Sequence, residues 1–293
     1  MARARAERPP IDGLLLVDKP AGVTSHDVVA SARRALGERR IGHAGTLDPF
    51  ATGLLVLLLG RATRLLPYID GEPKVYDATI RFGAETDTDD GTGAPTRTAE
   101  LPDESRVRAA IALLIGEIEQ LPPAFSAKQV GGQRAHAAAR RGRTLALPPA
   151  RVTVFAWQVH AFRDGDLTAT ISCGSGTYIR ALARDLGRMT DSAAHLATLR
   201  RTRSGPFDVA EAVGLDVLPD RAAAAVRPAL EALGTMAVDS LDAAAVARVA
   251  RGMPVPALAA GLRAALIDET RAVVAVAERA GDMWQPRVVL RDA

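Results

Sequence analysis

Residues 42–53 read GHAGTLDPFATG, and a single carboxylate, Asp48, stands there among residues that favour tight turns. A carboxylate can attack an electrophilic carbon or take a proton from a neighbouring group. Turn geometry alone accounts for Gly, Thr, Asp and Pro in such a run, because their side chains and backbones satisfy local hydrogen bonds. It does not account for the run after it. From Gly53 to Gly60 the chain reads GLLVLLLG, a short apolar run of the kind that forms a buried strand, so the turn is pinned to a core element. Loops held by rigid scaffolds are where reactive groups are commonly placed.

The elements that must position this turn alternate between strands and helices, with no internal repeat. GLLLVDKP (13–20) predicts a strand ended by Pro20. TSHDVVASARRALG (24–37) predicts a helix capped by Thr24 or Ser25, with Val28, Ala32 and Leu36 on its apolar face. ATRLLPYID predicts a short helical stretch, and KVYDATIRFG (74–83) alternates as a strand does. The acidic run ETDTDDGTG (85–93) lacks the ligand spacing of a calcium loop and reads as an ordinary solvated turn. DESRVRAAIALLIGEIEQ (103–120) predicts one helix. The stretch 121–150, bracketed by Pro122, Pro123, Pro148 and Pro149, carries too little apolar area for a core and predicts a projecting flap with its own short helix. VTVFAWQVHAF and LTATISCG predict strands, TYIRALARDLGRMT (177–190) a helix, and HLATLRRTRSGPF (195–207) another strand. Beyond a boundary near residue 235, a small helix (241–251) and two or three strands predict a compact β-rich module.

With 293 residues, 48% of them hydrophobic, the chain has room for one large domain and a small one. A single cysteine, Cys173, excludes an intrachain disulfide and fits a reducing cytoplasm. No apolar run approaches the roughly 18 residues of a membrane span, and MARARAERPP leads only to LLLV, too short for a secretory signal. A soluble, cytoplasmic protein is expected. Net charge is only +3, but no Asp or Glu falls between Gln120 and Arg163, where Lys128, Arg134, Arg140, Arg141, Arg143 and Arg151 stand. A second basic cluster runs through Arg180, Arg184, Arg188, Arg200, Arg201 and Arg203. Such stripes fit a polyanionic partner, nucleic acid ahead of a membrane surface.

Six ordered stretches carry a family resemblance: LLLVDKPAGVTSHDVV, RRIGHAGTLDPFATGLLVLLLGRATRL, KVYDATIRFGAETDTDDG, PPAFSAKQVGGQRAHAAARRG, CGSGTYIRALARDLG and HLATLRRTRSGPF. Over roughly residues 12–207 the chain resembles the bacterial TruB family, the tRNA pseudouridine-55 synthases. The resemblance implies an α+β fold. A catalytic domain (1–235) has a central, mostly antiparallel sheet flanked by helices and includes a basic flap (122–149), and a small PUA-like RNA-binding module (236–293) follows. It also implies a stand-alone, cofactor-free, metal-free isomerase acting on the T arm of tRNA, monomeric and without an obligate protein partner.

The family's site residues carry over position by position. Asp48 of GTLDP matches the nucleophile, and Arg180 of GTYIRALARDLG the arginine that pairs with it. Tyr76 of KVYDA matches the tyrosine that stacks on the flipped uracil, and a catalytic role for it in proton abstraction is expected. Tyr178 contacts the nucleotide, Leu199 closes an apolar wall, and His43 of GHAG lies against the displaced nucleotide. Lys128, Arg134, Arg140, Arg141 and Arg143 are expected on the RNA backbone, and Lys19 and Pro20 have a structural role. His136 stands where the family more often has Tyr. Two other classes share some of these features: a catalytically silent RNA-binding protein, and a synthase acting on ribosomal or guide-directed RNA.

Overall fold

The computed structural model describes residues 11–126, 129–130, 133–134 and 147–291. In chain order the first elements are β1 (Gly13–Lys19), α1 (Ser25–Leu36), β2 (Ile41–Ala44), β3 (Thr52–Leu59), a 3-10 helix (Gly60–Tyr68) and β4 (Lys74–Phe82). There follow β5 (Ala84–Thr86), β6 (Pro95–Thr98), α2 (Glu104–Leu113), β7 (Gly116–Gln120), β8 (Gln129–Val130) and β9 (Gln133–Arg134). Next come β10 (Ala150–Arg163), β11 (Asp166–Cys173), α3 (Ile179–Met189), β12 (Ala194–Ser204), β13 (Phe207–Asp208) and β14 (Val213–Gly214). The last are α4 (Leu218–Arg221), β15 (Ala237–Ser240), α5 (Ala243–Ala250), β16 (Val255–Pro256), β17 (Arg263–Ile267), β18 (Val273–Ala280) and β19 (Met283–Val289). The chain divides into two compact units. One holds the residues up to Pro49, Gly53–Asp70 and everything from Gly205; the other holds Phe50–Thr52 and Gly71–Ser204.

In the first unit β3 runs antiparallel to β1, in register from Gly13 against Leu59 to Lys19 against Gly53, while β14 joins β1 in parallel. Both faces of this pair are covered, which is why both strands read as continuous apolar runs rather than alternating ones. Leu15, Val17, Leu55 and Leu57 pack on Val28, Val29, Ala32 and Leu36 of α1. Thr24 caps that helix in a reciprocal box with Asp27, and Gly37, at φ 68, closes it with its N–H on the Arg33 carbonyl. On the other face Leu14, Leu16, Val56 and Leu58 share a core with Leu65, Phe207 and Leu233, and with Ala265, Val276 and Leu290 from beyond residue 235.

Beyond residue 235 the strands form a separate sheet in the order β15-β17-β18-β19-β16. Its second face has a core of its own around Leu241, Val249, Leu266 and Trp284. Asp239 holds this module's loop: it accepts the Trp284 indole N–H at 2.7 Å and the backbone N–H groups of Leu258 and Ala259 at 2.8 and 2.9 Å. Burial raises its pKa, but the hydrogen bonds from Ala259, Trp284 and Leu258 outweigh that and hold the carboxyl below its usual value of 3.8. A depressed folded-state pKa adds stability that is present above the ordinary carboxylate range and lost as pH falls through it. Acid titration below about pH 4 is therefore expected to change tryptophan fluorescence, and Asp239→Asn to remove that part of the change.

The second unit is an antiparallel sheet in the order β12-β4-β11-β10-β7. The helix expected over 103–120 stops at Leu113, and Gly116–Gln120 pairs with β10 instead. Gly116 sits at φ 101, a conformation that ends the helix and that a side chain resists. GEIEQ then alternates in burial as a strand does. Lys128, His136, Arg140, Arg141 and Arg143 lie outside the described residues, and Arg134 falls in β9.

Candidate active site

The turn carrying Asp48 joins β2 to β3 in the first unit and is tied on both sides. Before Asp48, the Ser25 hydroxyl donates to the Leu47 carbonyl at 3.1 Å and accepts the Leu47 N–H at 2.9 Å. After it, the Pro49 carbonyl accepts the Gly22 N–H at 2.8 Å and the Lys19 ammonium at 3.3 Å. Lys19 is fully buried and also donates to the Pro20 and Val23 carbonyls at 2.9 and 2.8 Å. A buried ammonium is tolerated when such acceptors replace its water, so the structural role expected of Lys19 has a concrete form. Leu47 is buried and Asp48 half-buried. His43 lies in β2 with its ring edge-on to His26, centroids 6.0 Å apart.

In the second unit Arg180 opens α3 and is 4% exposed. Its guanidinium donates to the Thr88 carbonyl at 2.9 Å and the Phe125 carbonyl at 3.0 Å, with Asp90 at 3.8 Å. Arg184 and Arg188 follow one and two turns on. Arg184 pairs with Asp89 at 2.9 Å and Asp185 at 2.8 Å, and Arg188 with Glu85 at 2.7 Å. Helical spacing thus meets Asp90, Asp89 and Glu85 in turn.

This corrects two expectations. The acidic run 85–93 is not a solvated turn: Glu85, Asp89 and Asp90 are buried against α3. Nor do Arg180, Arg184 and Arg188 form an open cationic stripe, since Arg184 and Arg188 are paired with Asp89, Asp185 and Glu85, and Arg180 is buried on two carbonyls. Ligand spacing excludes calcium and leaves water as the default, but counter-charges from a helix some 90 residues away in sequence decide the matter. Burial pushes the Asp89 carboxyl up, against the pull of Arg184 and Arg180, whereas burial of Glu85 is outweighed by its bonds from Arg188 and Arg97. Asp89→Ala removes a charged hydrogen bond but leaves Arg184 its bonds to Asp185 and the Leu121 carbonyl. The expected cost is about 1.5–3 kcal/mol, read from urea unfolding.

Tyr76 is 7% exposed in β4, opposite Arg201 of β12 and Ile171 of β11. Leu199 lies two pairs along, opposite Ala78, and is also buried. Tyr178 precedes α3 and is fixed through its main chain: the buried Gln120 amide accepts its N–H at 2.8 Å and donates to its carbonyl at 3.1 Å. At the far end of α3, a side chain on Gly187 would lie 2.5 Å from the Ala194 nitrogen, so only glycine lets the helix seat against the start of β12. The second unit therefore gathers Tyr76, Tyr178, Arg180 and Leu199 around β4, β12 and α3, and the first holds His43 and Asp48 on one turn. Sequence reasoning missed Ser25, Gln120 and the acidic partners of α3.

The chain matches known families along most of its length. Residues 33–179 match the TruB family pseudouridylate synthase N-terminal domain, and residues 180–239 the tRNA pseudouridylate synthase B C-terminal domain. A Thermobifida fusca protein named tRNA pseudouridine synthase B is 46% identical over 289 residues, spanning 95% of this chain and 98% of that one. A Leifsonia xyli protein of the same name is 52% identical over 233 residues, 76% of each chain. Among solved structures, a Cbf5-Nop10-Gar1 complex matches with a TM-score of 0.74 at 26% identity, over 96% of this chain and 85% of the other. An archaeal box H/ACA sRNP Nop10-Cbf5 complex matches with a TM-score of 0.71 at 25% identity, over 98% and 89%.

Proposed function

Because the chain belongs to the TruB family of pseudouridylate synthases, we propose that it is an isomerase that converts the uridine at position 55, in the T loop of tRNA, to pseudouridine. The N1–C1′ bond of the uridine breaks, the uracil turns, and C5 bonds to C1′. The C5 proton is lost and N1 gains one, so the reaction balances without a cofactor. Family membership supports the reaction class. The observation that carries its placement here is the seat of Asp48, a half-buried carboxylate on a turn tied by Ser25, Gly22 and Lys19.

Asp48 supplies the anionic oxygen, either by attack at C1′ or by assisting a glycal route. Arg180 supplies the positive charge that keeps it ionised. Tyr76 stacks on the flipped base, Tyr178 contacts the nucleotide, Leu199 walls the pocket, and His43 lies against the displaced nucleotide. Base flipping gives access at a cost of a few kcal/mol, and recognition rests on the shape and phosphates of the T arm. The enzyme acts on its own as a monomer in the cytoplasm. Among the described residues no helix is long and apolar enough to cross a membrane.

Incubation with an unmodified tRNA transcript and with ribosomal RNA fragments, followed by chemical mapping of pseudouridine, tests this reading. Modification confined to position 55 of the tRNA supports it, and modification of the ribosomal fragments alone overturns it. The basic flap gives a separate expectation. Neutralising Arg140, Arg141 and Arg143 together should weaken tRNA binding and flatten its salt dependence, by about 0.9 in log-log slope for each phosphate no longer neutralised. Filter binding across a salt series reads that slope.

A further inference from the structure

We propose that Ser25 is a positioning residue for Asp48, setting the direction of its carboxylate by fixing the peptide plane that enters it. The inference rests on the reading of Asp48 as the nucleophile. A serine at the start of a helix ordinarily serves as a cap, but Thr24 already caps this one, its hydroxyl accepting the Asp27 N–H at 3.1 Å. Ser25 is 2% exposed, and its hydroxyl is turned away from helix capping. It bonds twice to the main chain of one distant residue, Leu47, at 2.9 and 3.1 Å.

The Leu47 carbonyl belongs to the peptide group whose nitrogen is that of Asp48. Peptide groups are planar, so anchoring this oxygen fixes the plane on the N-terminal side of the Asp48 Cα. The exit is anchored as well, because the Pro49 carbonyl is held by Gly22 and Lys19. Between those two anchors the free backbone angles are φ and ψ of Asp48 and ψ of Pro49, since the proline ring locks its own φ. Leu47, 3% exposed, seals the entry side into the core. Losing Ser25 releases the entry plane and lets the carboxylate swing, while the loop's surface stays the same for RNA.

Three variants test this: Ser25→Ala, Ser25→Cys and Asp48→Asn. The readouts are the single-turnover rate at saturating tRNA, the tRNA Kd and the thermal midpoint. A misplacement of about 1 Å at a reacting group costs on the order of 10²-fold, so Ser25→Ala should slow the chemical step by about 10- to 100-fold. Its Kd should stay within about threefold of wild type, because the missing hydrogen bonds act on the transition state and not on binding. Ser25→Cys, whose thiol makes weaker hydrogen bonds, should fall between the two. A Ser25→Ala rate within about twofold of wild type, or an impairment carried wholly by Kd, overturns the proposal. Should Ser25→Ala fail to fold, a Ser25→Cys rate equal to wild type overturns it in its place. Turnover by Asp48→Asn, with deamidation excluded, defeats instead the reading on which this rests.

Discussion

Asp48→Asn is expected to abolish pseudouridine formation, by at least about 10⁴-fold, while tRNA affinity stays within about tenfold, roughly 1.4 kcal/mol. Asparagine keeps the shape of the side chain but lacks an anionic oxygen, so it can neither attack C1′ nor assist loss of the base. The turn should survive the change. Its ties run from Ser25, Gly22 and Lys19 to the main chain of Leu47 and Pro49, and none of these uses the carboxylate. Single-turnover rates and binding measured on one preparation separate the two effects. A variant that loses binding together with activity would make Asp48 a structural residue of the turn.

Arg180→Ala carries the second large effect, and it has two components. Removing the guanidinium leaves the Thr88 and Phe125 carbonyls without the donors they have at 2.9 and 3.0 Å, and leaves Asp90 buried beside the gap. Breaking one side of a buried charged network costs about 3–5 kcal/mol, so the unfolding midpoint should fall. Loss of the positive charge proposed to keep the reacting carboxylate ionised should lower the rate of the remaining folded enzyme by about 10²–10³-fold. Arg180→Lys separates the components. It keeps the charge but not the planar fork that spans two carbonyls and a carboxylate, so it should recover more rate than stability. Urea unfolding and single-turnover rates together read both; a full-rate, full-stability alanine variant contradicts the role.

Much of the fold is legible where local signals agree with tertiary demand. Thr24 and Asp27 announce the start of α1, its four-residue apolar spacing meets the core, and the apolar runs of β1 and β3 become strands buried on both faces. Local signals mislead where a long-range partner decides. ALLIGEIEQ continues a helical pattern until the backbone of Gly116 turns to φ 101 and β10 offers a strand to pair with. The acidic run 85–93 looks solvated in sequence because its cations lie on α3, from Arg180 to Arg188. Of the candidate site, the motifs locate Asp48, Tyr76, Tyr178 and Arg180. The side chains that hold these segments in place, Ser25 on Leu47 and Gln120 on Tyr178, are silent, because a buried hydroxyl or amide looks the same in sequence as an exposed one.

The measurement that bears most directly on the central claim is release of tritium from tRNA transcribed with C5-tritiated uridine, since C5 loses its hydrogen only when it bonds to C1′. The wild-type protein is predicted to release one equivalent per tRNA and then stop, and to release none from a tRNA carrying cytidine at position 55. Undiminished release from the position-55 cytidine tRNA, or no release from either, would contradict the account.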